Sequence, residues 1–105
     1  MTKYWLSFTL DTRTVSNRDY NTRWNALYDD IKAISNGTNW WVGTTSLIVF
    51  ETEYGFDHVV QTAKNAVSST YDTVLIRKLD AQEARIFGPI SDKDIFSLMP
   101  YLVQV

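Results

Sequence analysis

The sequence predicts an α+β domain whose elements run strand, helix, strand, strand, helix, strand, and then a tail. Three observations predict it. Residues 3–10, KYWLSFTL, alternate with period two, so Tyr4, Leu6, Phe8 and Leu10 share one face of a strand and Trp5, Ser7, Thr9 and Asp11 the other. Tyr20, Trp24, Leu27, Tyr28, Ile31 and Ile34 recur at three and four residues, the stripe of an amphipathic helix. The stretch NWWVGTTSLIVFET, residues 39–52, reads as two apolar strands joined by a small-residue turn.

Composition bounds the answer before any motif does. The chain has 105 residues, 45% of them apolar, with four Trp, six Tyr and five Phe. This suits a single domain spanning 1–105 with one modest core, and is too apolar for a disordered chain. No apolar run approaches the ~18–20 residues that span a bilayer. The first thirteen residues lack the unbroken apolar segment and small-residue cleavage site of a signal peptide. There are no cysteines, hence no disulfide framework and no thiolate metal site. A soluble cytoplasmic protein without a membrane partner is expected. The net charge of −2 argues against a dedicated nucleic-acid binder, which usually carries a basic excess, but leaves room for a local basic patch.

After the first strand, residues 12–17 form a polar loop, and Ser16 stands three residues before Asp19 as a capping box for the first helix. Ser35, Asn36 and Gly37 stop that helix, Gly37 supplying the left-handed residue. Strands follow at about 39–43 and 46–52, with Gly43, Thr44 and Thr45 as the turn. Trp40 and Trp41 face opposite sides, as do Leu47 and Ile48, and a strand apolar on both faces is covered on both. A second helix at about 55–69 presents Phe56, Val59, Val60, Ala63, Ala66 and Val67. Residues 73–79, TVLIRKL, make the fourth strand. Ala84–Phe87 is a short edge strand ended by Gly88 and Pro89. Ser91 caps a terminal helix, with Asp94 at the box position and Pro100 beyond its end.

This order is the ferredoxin-like βαββαβ pattern: a four-stranded antiparallel sheet in residues 3–80 with two helices on one face, plus a tail at 81–105 carrying a short strand and helix. The second ring of the Trp pair then lies on the face the helices do not reach. Burying one such aromatic is worth roughly 1.5–3 kcal/mol. Something must therefore cover Trp5 and Trp41. A homodimer is the favoured cover, with Ala84–Phe87 added to the partner's sheet, and the chain's own tail is the alternative.

The pair Trp40-Trp41 followed by Ser46, the first strand's LSFTLD and the fourth strand's TVLIRKLD resemble the small SinR-like proteins. The likeness covers residues 3–80. SinR-like proteins are in turn similar to the small CRISPR-associated adaptation nuclease and to VapD-type toxin ribonucleases. The resemblance implies a dimer formed through the sheets and an aspartate at the end of the first strand that holds a divalent metal. In an ungapped overlay Thr9 takes that aspartate's place, and Asp11 lies two residues on, some 6–7 Å along the strand.

Asp11 is the candidate catalytic residue and Mg²⁺ ligand under the nuclease reading. Without that reading no cofactor is expected, and Asp11 simply opens the turn Asp-Thr-Arg-Thr. Arg13, Arg18 and Arg23 recur every five residues and are candidate phosphate contacts at a groove rim, or else solvated surface arginines. Trp5 and Trp41 are candidates for a dimer face or for a pocket between sheets. His58, the only histidine, lacks a converging serine and acid and reads as a surface residue; Asp29 and Asp30 diverge on their helix. The leading functional expectation is a dimeric, non-catalytic interaction or nucleic-acid-associated module. A metal-dependent endonuclease and a small-molecule-binding dimer are the alternatives.

Overall fold

The computed structural model describes residues 1–36 and 40–105. Its elements are β1 Thr2–Thr9, α1 Tyr20–Ile34, β2 Trp40–Trp41, β3 Leu47–Thr52, α2 Phe56–Ala66, β4 Thr73–Lys78, β5 Ala84–Phe87, α3 Ile95–Leu98 and β6 Leu102–Gln104. The protein is an α+β fold built on one six-stranded sheet with strand order β2-β3-β1-β4-β5-β6. The expected four-stranded antiparallel sheet is thus corrected to a six-stranded mixed one. β5 pairs antiparallel with β4, and β6 adds parallel to β5. Ala84–Phe87 therefore completes its own sheet rather than a neighbour's. No helix among the described residues is long and apolar enough to cross a membrane.

The alternation of β1 survives intact. Tyr4, Leu6 and Phe8 are buried under the helices, while Trp5 and Ser7 are half-buried on the reverse. α1 and α2 both lie on the first face. Leu27 and Ile31 from α1, and Phe56, Val59, Val60 and Ala63 from α2, join Tyr4, Leu6, Ile48, Phe50, Val74 and Ile76 in one core. Tyr4 stacks on Phe50 and meets Phe56 edge-on, with ring centroids 5.5 and 5.1 Å apart. Trp40 turns to this face too, its ring 5.1 Å from that of Tyr28.

Helix ends depart from expectation in instructive ways. The N-cap of α1 is Asp19, whose carboxylate accepts from the Thr22 amide at 2.7 Å. Ser16 does not cap it. Ser16 and Asn17 have φ of 50° and 64° and form a tight two-residue turn closed by reciprocal amide–carbonyl bonds between Val15 and Arg18, both 2.9 Å. The predicted stop at Gly37 and strand start at Asn39 lie outside the described residues. The Ser35 amide, at the end of α1, donates to the Lys32 carbonyl. Ser91 is likewise not the cap of α3; Asp94 occupies that position without a side-chain bond, and its amide donates to Asp92 at 3.0 Å.

The tail folds back on its own sheet. Ala84, Ile86 and Leu102 are buried on the reverse face, and Leu75, Ile90, Ile95, Phe96, Met99 and Tyr101 pack against them. Gly88 makes this return possible. Its φ is +92°, and a Cβ there would run into the Asp72 carbonyl oxygen.

Candidate functional site

The strand registers lay out the reverse face as rows. One row reads Trp41, Val49, Trp5, Arg77, Ala84 and Leu102; its neighbour reads Leu47, Ser7, Leu75, Ile86 and Gln104. The tail shelters the β4–β6 end of both rows, and the β2–β3–β1 end is open. Trp41 is 50% exposed, while Trp5, Leu47, Val49 and Leu75 are half-buried. Both tryptophans thus stand on the face that sequence parity assigned them.

Two shallow clefts shape the open half. Trp5, Ser7, Leu47, Val49 and Leu75 line one of about 350 Å³. Trp41 lines another of about 340 Å³ with Lys3, Trp40, Val49, Phe50, Glu51 and Leu79. Trp5 and Trp41 line separate clefts that share Val49. Gly43 seats Trp41, since a Cβ on Gly43 would collide with the indole ring. Lys3 and Glu51 are cross-strand partners and set opposite charges side by side at the margin. Arg77 marks the border with the sheltered half. Its guanidinium lies 5.4 Å from the Tyr101 ring centre, and its Nε is buried without a hydrogen-bond acceptor among the described residues.

The three arginines do not form a rim. Arg23 is 1% exposed and its carboxylate partner Asp72 is fully buried. All five guanidinium N–H groups are spent. Nε donates to Asp72 Oδ2 at 3.0 Å, and Nη2 donates to Asp72 Oδ1 at 3.4 Å and to the Asp11 carbonyl at 2.5 Å. Nη1 donates to the carbonyls of Arg13 and Arg18 at 2.8 and 2.9 Å. Asp72 also accepts the amides of Asp11 and Ser68, both at 2.8 Å. Arg23 is therefore a clasp joining the end of β1, the loop before α1, the end of α2 and the start of β4, with nothing left for a phosphate. Arg18 donates to the Ala66 carbonyl at the end of α2. Only Arg13 is well exposed, and it is held by Asp11 at 2.8 Å and lies over the Tyr71 ring at 3.9 Å.

Asp11 sits beyond the last residue of β1 and opens a turn. Its Oδ1 accepts from the Arg13 amide and Nε, at 2.9 and 2.8 Å. The hydrogen bond from the Arg13 side chain, seconded by that from its amide, holds the Asp11 carboxyl below its ordinary value. These donors do not fit a divalent ion. Asp11 already serves a cation, Asp72 is sealed around Arg23, and no group of three or more acidic or imidazole side chains converges among the described residues. His58 stacks on Tyr54 at 4.3 Å and meets neither serine nor acid in the described contacts.

Sequence reasoning read Arg23 as a phosphate contact or a solvated arginine and passed over Asp72, yet these are the most buried charges among the described residues. The signal was present: Arg23, Leu27 and Ile31, the buried residues of α1, are spaced by four. An arginine on that line faces inward. No protein-family model matches this chain, and no curated protein and no solved structure matches it either.

Proposed function

We propose that the protein is a non-catalytic interaction module that works as a homodimer, paired through the open half of its reverse sheet face. The observation that carries this reading is the contiguous apolar surface of Trp41, Val49, Trp5, Leu47 and Leu75, with Trp41 half in water. Contiguous apolar surface of this kind marks interaction sites. A second copy suits it in charge, because Lys3 and Glu51 lie together and a two-fold axis would set each against its opposite. It suits it in shape as well. Trp41 projects beside a depression walled by Trp5, Leu47, Val49 and Leu75, so each copy offers both a knob and a hollow.

The strand order β2-β3-β1-β4 with two helices on one face supports reading the first four strands as a ferredoxin-like unit extended by β5 and β6. Trp40, Trp41 and Ser46, the residues of the SinR-like resemblance, sit on β2 and in the turn just before β3.

Sedimentation equilibrium tests the reading. The native chain should sediment with twice the mass of the monomer, and Val49→Arg should sediment as a folded monomer with unchanged far-UV circular dichroism. A native chain that stays monomeric at high concentration refutes it. Nucleic-acid cleavage that requires Mg²⁺ and disappears in Asp11→Ala would overturn the non-catalytic half of the proposal.

A further inference from the structure

A second surface lies on the opposite, helix-bearing face, where α2 meets the β5–β6 side of the sheet. Arg85 and Phe87 share this face of β5, and Val103 stands beside Arg85 on β6. The Arg85 guanidinium is 4.8 Å from the Phe56 ring centre, the Lys78 ammonium 5.7 Å from the same ring, and the Lys64 ammonium 5.7 Å from the Phe87 ring. Phe56 and Lys64 are eight residues apart on α2. Arg85 and Lys78 thus gather at the Phe56 end of α2, and Lys64 is rooted about 12 Å further along the helix, at a rise of ~1.5 Å per residue. Most other arginines are committed: Arg13 and Arg23 to carboxylates, and Arg18 to a helix end. Lys78 has one carboxylate, Glu83 at 3.1 Å; Arg85 donates to the Ala84 carbonyl at 3.0 Å, and the described ion pairs give neither it nor Lys64 a carboxylate.

We infer that this ledge between α2 and the β5–β6 edge binds an extended acidic peptide segment of a partner protein, with carboxylates on Lys64 and Arg85 and apolar side chains on Val103. Three features select a peptide over a nucleic acid. The group already bound to the row, Glu83, is a carboxylate. The rings beneath the cations are buried, Phe56 at 9% exposure and Phe87 at 1%, so they offer no open face for a base to stack on. Val103 is 47% exposed next to the cations and gives an apolar side chain a seat. This surface is independent of the dimer face and stands whether or not the protein pairs.

Fluorescence anisotropy with a labelled peptide of alternating Glu and Val tests the inference, with an alternating Lys-Val peptide and an oligothymidylate as comparisons. The acidic peptide should bind saturably and more weakly as salt rises. Lys64→Gln combined with Arg85→Gln should weaken it about tenfold, the loss of two charge-assisted contacts from half-buried side chains. Lys32→Gln combined with Lys93→Gln makes the same change in net charge elsewhere and should leave binding within about twofold. In the native protein, adding the peptide should shift the amide resonances of Lys64, Arg85 and Val103, a readout that needs no variant. Equal binding by the two double variants, absence of those shifts, or tighter binding of oligothymidylate than of the peptide would overturn it.

Discussion

Replacing Arg23 by Met keeps most of the side chain's volume and removes its charge. The carboxylate of Asp72 would then remain fully buried, with two backbone amides, those of Asp11 and Ser68, in place of the clasp. Removing one partner of a buried pair costs ~3–5 kcal/mol, because the other charge stays behind unpaired. The carbonyls of Asp11, Arg13 and Arg18 lose their guanidinium donor as well. Total stability for a domain of this size is about 5–15 kcal/mol. Arg23→Met should therefore forfeit about a fifth or more of it, and lower the midpoint of thermal unfolding by about 12–20 °C. Urea denaturation followed by circular dichroism measures the loss. The double variant Arg23→Met with Asp72→Leu should cost less than the sum of the two single changes, since no charge is then stranded. A loss under ~1 kcal/mol in Arg23→Met, typical of an arginine in water, would refute the clasp.

Gly88→Ala should destabilise by at least ~1–3 kcal/mol in the same denaturation assay, because φ is +92° and the new methyl meets the Asp72 carbonyl. Gly43→Ala should leave stability nearly intact but displace the Trp41 ring, read as a change in tryptophan emission and a weaker dimer in sedimentation. Asp11 should titrate below the ordinary carboxylate range by NMR, chiefly through the Arg13 side chain, and return toward it in Arg13→Ala. The folded value is the depressed one, so the Asp11–Arg13 link stabilises above the unfolded value of 3.8 and is lost as pH falls through the folded value. Asp19→Ala should fray the first turn of α1, seen as faster amide exchange at Thr22.

How far the sequence could be read depended on the range of the interactions. The faces of Trp5 and Trp41 followed from strand parity alone, a local rule, and the structure keeps them. The Arg23 clasp was hidden because its carboxylate partner comes from far along the chain, Asp72 lying 49 residues away. Asp72 looks like an ordinary turn residue until β1 and β4 pair and bury it. β6 escaped notice for another reason. Three residues, Leu102–Gln104, are too few to show alternation, and the strand exists only because β5 offers it a free edge. Ser16 and Asp19 competed for the same cap, and the tight turn at Ser16 and Asn17 decided for Asp19.

The C-terminal return divides the reverse surface unequally, and this has a bearing on assembly. Because α3 packs over β5 and β6, a like molecule paired as proposed would settle over the β2–β3–β1 side, off-centre. The crossing segment acts as a fence. Under the proposed pairing each sheet presents one docking bay, and two bays that have met leave neither another, so association would end at a closed pair instead of growing into a stack.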